Sequence, residues 1–378
     1  MARIRLMHIV QCAGGVDCYL RMLLKHMDKM QYEHILVCSE DFSCTIYEPL
    51  VEKFEQVMMV NSLSLRHDGV AIIKVRRLIK QYDPDLIYCH SSKGGGIGRL
   101  ASIGLGIPVI YNPHGWSFSM RVSKLKSFLF RCIEKILAHF THTIIAISYY
   151  EKFIALEQSI CKSKKIHVIY NGIDFNAIEL QSKNNSITRH SLGIPENAYI
   201  VGMSGRISDQ KAPDIFVHMA ERIHRVIPES YFIIVGDGNQ KEEIERMIVE
   251  RDLSPYFRIT GWQDKPWEYM ALFDQAVLLS RWEGFGLVLA EYMFLGKPIV
   301  ATNINAIPEL INDQENGLLI PCDDDYSAAE AVLKIYYDTD LRDKFIQNGR
   351  IRSQILFDIK RVAKSHERLF AAILSNIR

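Results

Sequence analysis

From Ser280 to Thr302 the chain reads SRWEGFGLVLAEYMFLGKPIVAT, with two carboxylates, Glu283 and Glu291, in a segment that is otherwise almost wholly apolar. Acids in such surroundings are costly to desolvate unless a ligand or a cation meets them. The strand-like AVLLS leads into a turn with two glycines, RWEGFG. A helical pattern, LVLAEYMFLG, follows and closes on Gly296, a residue type suited to a left-handed C-cap. Glu283 then sits on the turn, and Glu291 about a turn and a half into the helix. Main-chain N–H groups near Phe285, Gly286 and Leu287 open that helix, where the dipole favours an anion. A ligand carrying hydroxyls on both sides of a phosphate would use all three features at once. The plainer alternative makes Glu291 a solvated helix position and Glu283 a dipole partner. The apolar company of Leu287, Val288, Leu289, Ala290, Met293 and Phe294 argues against it.

A second group stands in VGMSGRISDQKAPDIFVHMA, where Arg206 and Lys211 follow a strand pattern and precede a helix opened by Pro213. Two cations at the carboxyl end of a strand suit a diphosphate; two ordinary solvated bases are the alternative. Nearer the N-terminus, IVQCAGGVDCYL places Gly14 and Gly15 between strand and helix, where main chain can approach a phosphate closely. A plain tight turn explains that pair equally well. VIYNPHGW ends another strand with His114 and Gly115.

These groups need elements to hold them. IRLMHIV, HILVCS, VMMV, DLIYCH, PVIYN, HTIIAIS and KIHVIYNG read as strands, with amphipathic helical patterns between them. After the polar stretch Glu179 to Ala198, a candidate linker, the rhythm restarts with YIVGMSG, YFIIVGDG, FRITGW, QAVLLS, PIVAT and NGLLIP. The expectation is an α/β protein of two doubly wound Rossmann-like domains facing a cleft, residues 1–180 and 181–356. A last amphipathic helix, residues 357–378, packs back on the first domain. The length of 378 residues agrees with two cores. The 45 basic and 44 acidic residues nearly cancel, so nothing marks a nucleic-acid binder. Eight cysteines without a CxxC pair point to a reduced, cytoplasmic protein with no zinc. No run reaches the roughly 18 apolar residues of a spanning helix, and the opening residues read as a strand, not a signal.

The arrangement Glu283 to Glu291 resembles the Glu-x7-Glu motif of the retaining glycosyltransferases of family 4. GKPIVAT, AIPELI and NGLLIP follow it in the family's order, and Gly205-Arg206-x4-Lys211 matches a second family pattern. The resemblance covers nearly the whole chain and implies the GT-B fold. It assigns Glu283 to hydroxyls of the donor sugar, Glu291 to the nucleotide ribose, and Arg206 and Lys211 to the diphosphate. It sets the glycine loop at the donor phosphates and acceptor, and His114 near the transferred sugar. VIYNGID, with Asn171 and Asp174, is a further signature, at the turn between domains. One departure is Ala212, since many members carry Lys-Gly at Lys211-Ala212, which puts the local loop shape in question.

The implied activity is transfer from a nucleotide-diphosphate sugar, a UDP-sugar favoured, to a glycan or lipid-linked acceptor in surface-polysaccharide synthesis. The base is expected to meet main chain near Thr260 to Gln263. No cofactor, metal or nucleic acid is expected, because Arg206, Lys211 and main-chain amides neutralise the departing diphosphate. The rivals are a nucleotide-sugar epimerase of the same architecture and a non-catalytic nucleotide-sugar binding protein.

Four further stretches carry motif-like patterns. GIGRLA, Gly96 to Ala101, matches a dinucleotide fingerprint, but it does not follow the first strand, and the strand after it lacks the acidic partner. DPD at Asp83 to Asp85 precedes its strand and reads as a turn, and DDD at Asp323 to Asp325 as a loop with a helix cap. In Arg121 to Phe140, Leu125, Leu129, Cys132, Ile136 and Phe140 recur at helical spacing among Lys124, Lys126, Arg131 and Lys135. That helix is either a core helix with a wet basic face or a peripheral anchor on anionic membrane.

Overall fold

Strand after strand is buried on both faces, as parallel strands roofed by crossover helices must be. The computed structural model describes residues 3–11, 14–60, 62, 64–120, 122–183 and 186–376. Arg121, Asn184, Asn185, Ile377 and Arg378, which belong to segments singled out above, lie outside these residues, as do Cys12 and Ala13. The chain divides into two units. One holds the residues up to Gly172 and those from Ile359 on; the other spans Ile173–Asp358. The division thus falls a little earlier than residue 180, and the helix Phe175–Lys183 goes with the second unit, not with a linker.

The first unit carries β1 (Ile4–Val10), β2 (Tyr32–Cys38), β3 (Lys53–Gln56), β4 (Leu86–His90), β5 (Val109–Asn112), β6 (Thr143–Ala146) and β7 (Ile166–Val168). They form one sheet in the order β3-β2-β1-β4-β5-β6-β7. The sheet is parallel throughout, with Leu6 beside His34 on one flank of β1 and beside Leu86 on the other. VMMV is not a strand. Pairing ends at Gln56, and Val57 and Met59 are buried just beyond it. The C-terminal helix Ile359–Ser375 lies on this unit, where Ile359, Val362, Ala363 and Phe370 share a core with Leu6, Tyr19, Tyr88 and Ile110.

The second unit carries β8 (Tyr199–Ser204), β9 (Ser230–Val235), β10 (Phe257–Ile259), β11 (Gln275–Leu278), β12 (Ile299–Thr302) and β13 (Leu318–Ile320). Their order is β10-β9-β8-β11-β12-β13, again all parallel. Strand order reverses at β8/β11 here and at β1/β4 in the first unit, so a crevice opens beyond the carboxyl ends of each pair. The helix Pro213–Val226 starts on its proline and buries Phe216, Val217, Met219, Ala220 and Ile223 against β8 and its neighbours. Burying each large side chain of this kind contributes about 1.5–3 kcal/mol.

GIGRLA falls inside the helix Ser92–Ala101, not in a loop. Its Gly98 serves packing, since a Cβ there would stand 2.4 Å from the Cys89 sulfur. Asp83 ends the helix Leu65–Tyr82 with a left-handed backbone, and Asp85 accepts a bond from the Arg5 amide, so DPD is a helix-to-strand turn. In the helix Lys124–Ala138 the inward face is Glu134, Leu137 and Ala138. The apolar stripe faces out instead, with Leu125 78% and Ile136 61% exposed. The core-helix reading of that stripe is therefore overturned.

Candidate active site

In the second unit the two loops that leave β8 and β11 at the switch point carry the charged residues together. β8 ends at Ser204, whose amide donates to the Tyr292 hydroxyl at 2.6 Å. Arg206 follows, exposed, while Ile207 beside it is fully buried and pins the loop. A short 3-10 turn, Asp209–Lys211, then delivers Lys211, and Ala212 takes a left-handed backbone at φ +48° before Pro213. That conformation explains why glycine suits the position. Ala212 adopts it despite its Cβ.

Lys211 Nζ forms an ion pair with Glu283 Oε1, and the two side chains are only 15% and 7% exposed. The same carboxylate oxygen accepts from Ser280 Oγ at 2.8 Å. The Glu283 amide donates to Asn305 Oδ1 at 3.1 Å, and Thr302 Oγ1 donates to the Ser280 carbonyl at 2.7 Å. Glu283 is thus fixed from β8, β11 and β12 at once.

Arg281 joins the same loops from beneath. It meets Asp209 at 3.0 Å, Asp214 at 2.6 Å and Asp323 at 2.6 Å, and donates to the Asp209 carbonyl at 3.0 Å. The Gln210 side chain donates to the Trp282 carbonyl and the Arg281 amide to the Gln210 carbonyl. Burial works against the Arg281 charge, but bonds to Asp214 and Asp323 more than offset it and raise its pKa. Of the DDD triplet, Asp324 caps the helix Asp325–Tyr337 as expected, whereas Asp323 belongs to this clamp.

Phe285 packs its ring edge-on against Phe357 at 5.6 Å and offers only main chain to a ligand. Gly286, at φ +83°, caps the helix Leu287–Phe294, and Leu287 is its partly exposed first residue. Glu291 lies on that helix. Burial pushes its carboxyl up to about 7, against the nearby Trp267 indole and the Lys211 charge, both of which favour the ionised form. The Trp267 indole nitrogen is buried and meets no acceptor within hydrogen-bonding geometry.

In the first unit Gly14 takes φ +100° and precedes the helix Gly15–His26; a Cβ on either glycine would meet nothing within 4 Å. His114, just past β5, holds a left-handed backbone at φ +53°, an uncommon setting for a residue with a side chain. Its amide donates to Asn112 Oδ1 at 2.9 Å, and its ring lies 3.0 Å from His90 and edge-on to Tyr19. Asp174 accepts from the Ala177 amide and so starts the helix Phe175–Lys183.

Ser280, Arg281, Asn305 and Trp267 escaped sequence reasoning. Arg281 stands next to the Glu283 turn, but its three acidic partners are scattered along the chain, and only the fold collects them.

Residues 13–177 match the family model described as Glycosyltransferase Family 4, and residues 184–352 the model described as Glycosyl transferases group 1. A Klebsiella pneumoniae protein, described as an uncharacterized 41.2 kDa protein in a cps region, is 31% identical over 84% of this chain and 86% of its own. The chain belongs to the family 4 glycosyltransferases. An Escherichia coli UDP-Gal:alpha-D-GlcNAc-diphosphoundecaprenol alpha-1,3-galactosyltransferase is 28% identical to this glycosyltransferase over 96% of each chain. Among solved structures, HepE of Anabaena in complex with UDP-glucose superposes with a TM-score of 0.82. It is 22% identical and covers 99% of this chain and 100% of its own. The fold of the glycosyltransferase is accordingly GT-B, and the family decides for a transferase over the epimerase and the non-catalytic binder.

Proposed function

We propose that this glycosyltransferase transfers a hexose, with retention at the anomeric carbon and without a metal ion, from a UDP-sugar to a lipid-diphosphate-linked glycan of a surface polysaccharide. The observation that carries the reading is the Lys211–Glu283 pair, set at the carboxyl ends of the neighbouring strands β8 and β11. The activity named for the Escherichia coli galactosyltransferase supports the donor and acceptor classes and makes UDP-galactose the first donor to try.

In this reading Arg206 and the remaining donors of Lys211 meet the diphosphate, aided by main chain from Phe285 to Leu287. Fixed cations and dipoles of this kind stabilise charge as it develops on a leaving group. Glu283, held through Oε1, offers Oε2 to sugar hydroxyls. Glu291 binds the ribose, Gly14 and Gly15 leave room for phosphate, and His114 contacts the transferred sugar. The bond from the anomeric carbon to the diphosphate oxygen breaks with its electron pair. The acceptor hydroxyl attacks from the same face and passes its proton to the departing diphosphate. A covalent intermediate would need a second carboxylate about 5 Å away across the sugar, and no such role falls to any residue assigned here.

The test is incubation with UDP-galactose and a synthetic GlcNAc-diphosphate lipid, with proton NMR of the product and a parallel arm containing a chelator. An α-linked product formed equally in both arms supports the reading. Inversion, or loss of transfer in the chelator arm, overturns the corresponding part.

A further inference from the structure

On the face of the first sheet covered by the helices Gly15–His26 and Ile359–Ser375, imidazoles line up head to tail. His34 Nδ1 lies 3.2 Å from His8 Nε2, His8 Nδ1 lies 3.2 Å from His90 Nε2, and His90 Nδ1 lies 3.0 Å from His114 Nε2. Every link joins Nδ1 of one ring to Nε2 of the next, in one sense along β2, β1, β4 and the turn after β5. His8, His34 and His90 are at most 1% exposed. Burial is the first cause that keeps all four rings neutral, with His34 and His114 lowered to about 4 and 3.

A neutral imidazole has one N–H and one lone pair. Each link needs one of each, so the chain has only two consistent states. Either all four protons sit on Nδ1 or all four sit on Nε2. The ends decide between them. His34 Nε2 is buried with no partner. An orphaned buried N–H is rarer than an under-used acceptor, so this end favours a bare Nε2. At the other end His114 Nδ1 has no partner among the described residues and is not among the buried unpaired atoms.

A second network holds the backbone of the same residue. Asn112, which accepts from the His114 amide, donates to the Tyr88 hydroxyl at 3.2 Å. The Tyr88 and Tyr19 hydroxyls reach His366 Nε2 at 3.2 and 3.1 Å, and His366 Nδ1 donates to the Val362 carbonyl at 2.9 Å. Strained settings such as φ +53° persist where surroundings over-determine them. Here ring and backbone are held separately.

We infer that His34, His8 and His90 form a one-way hydrogen-bond chain that holds His114 as the Nδ1–H tautomer, a fixed donor for an oxygen of the transferred sugar. His90, His8 and His34 are positioning residues. The use of that donor rests on His114 contacting the sugar, as proposed above; the tautomer itself does not.

Long-range nitrogen-15 correlation spectra of the full-length labelled chain near neutral pH, with His114 assigned through His114→Asn, read the proton's position directly. The expected result is a proton on Nδ1 and a bare Nε2. A proton on Nε2, or averaging over both nitrogens, overturns the inference. The matched pair His90→Asn and His90→Asp places an amide donor or a carboxylate acceptor where His90 Nδ1 stood. The Asn variant should keep the tautomer and a kcat within about threefold of the parent. The Asp variant should move the proton to Nε2 and lower kcat about tenfold or more, with donor KM little changed. Identical tautomers and rates in the two variants also overturn the chain's role. If the parent shows Nδ1–H but His114→Ala transfers sugar normally, the sugar contact fails while the tautomer assignment stands.

Discussion

A carboxyl held near neutrality gives binding a pH signature. Burial raises Glu291 to about 7. Between the ordinary 4.5 and that value the folded chain keeps a proton that the unfolded chain has lost, so Glu291 makes stability fall as pH rises through this window. Ribose hydroxyls donate, and the ionised form accepts them better. A UDP-sugar has no phosphate group titrating here, so its affinity should rise up to about tenfold from pH 6 to pH 8. Calorimetric titration of UDP-galactose into the parent and Glu291→Gln tests this, and an equal slope in the variant removes the assignment. Lys211 and Glu283 behave differently, because each is the other's partner. Lys211→Ala and Glu283→Ala should each lower kcat/KM by about 100-fold or more. Each also leaves a mostly buried charge alone, at a cost of roughly 3 kcal/mol. The double variant Lys211→Met/Glu283→Gln should regain most of the stability and none of the activity; chemical denaturation beside kinetics separates the two. Both carboxylates could be picked out in the sequence because their neighbours are apolar. The pairing of Glu283 with Lys211 could not, since Lys211 belongs to a different strand loop and only the β8/β11 adjacency brings it close.

At the scale of the element, the loop after β8 and the loop after β11 behave as one piece because Arg281 ties them. Arg281→Gln removes three ion pairs with half-exposed aspartates, so the stability cost is modest, while the position of Lys211 against Glu283 is disturbed. Misplacement by an ångström can cost up to about 100-fold in rate. A drop of roughly tenfold in kcat/KM with little change in melting temperature is expected, and unaltered kinetics would deny the clamp its role. Most strands were readable because their runs are apolar; β3 (Lys53–Gln56), polar and at most half-buried, carries no such run and escaped the reading. VMMV failed as a strand because Val57 and Met59 are buried from a loop, which the same apolar signal cannot distinguish. The imidazoles of β1, β2 and β4 sit far apart in the chain, and nothing local marks them as one layer. That layer has an acid signature. With folded pKa values depressed, the unfolded chain takes up protons first as pH falls below about 6.5, so the contribution is full above that value and is lost on acidification. The groups facing the layer are Tyr19, Tyr88 and His366, with Glu52 raising and Lys29 and Arg3 lowering His34. Urea midpoints should therefore begin to fall near pH 6 as the several imidazoles outweigh the opposite contribution of Glu291 in that window, and His8→Gln should flatten that slope.

At the scale of the whole molecule, two units with the same sheet logic divide the labour suggested by their loops. The second concentrates fixed charge at its switch point, and the first concentrates a buried polar layer. The first unit also carries an exposed apolar surface. Leu125, Phe128, Leu129 and Ile136 are exposed along the helix Lys124–Ala138, with Met120 and Val122 exposed just before it and Phe140 just after it. Lys124, Lys126 and Lys135 are exposed among them. No helix among the described residues is long and apolar enough to cross a membrane. A large exposed apolar patch calls for a partner, and an apolar stripe with lysines beside it suits the interface of an anionic bilayer, where buried area and charge attraction add. A lipid-linked acceptor would be presented at that same surface. Flotation with vesicles containing phosphatidylglycerol should carry the parent chain upward, and salt should weaken the association because part of it is Coulombic. Leu125→Ser/Ile136→Ser should abolish flotation while leaving transfer to a short, water-soluble acceptor analogue unchanged, since both side chains are mostly exposed. Flotation equal on neutral and anionic vesicles would remove the electrostatic half of the proposal, and none on either would remove it entirely.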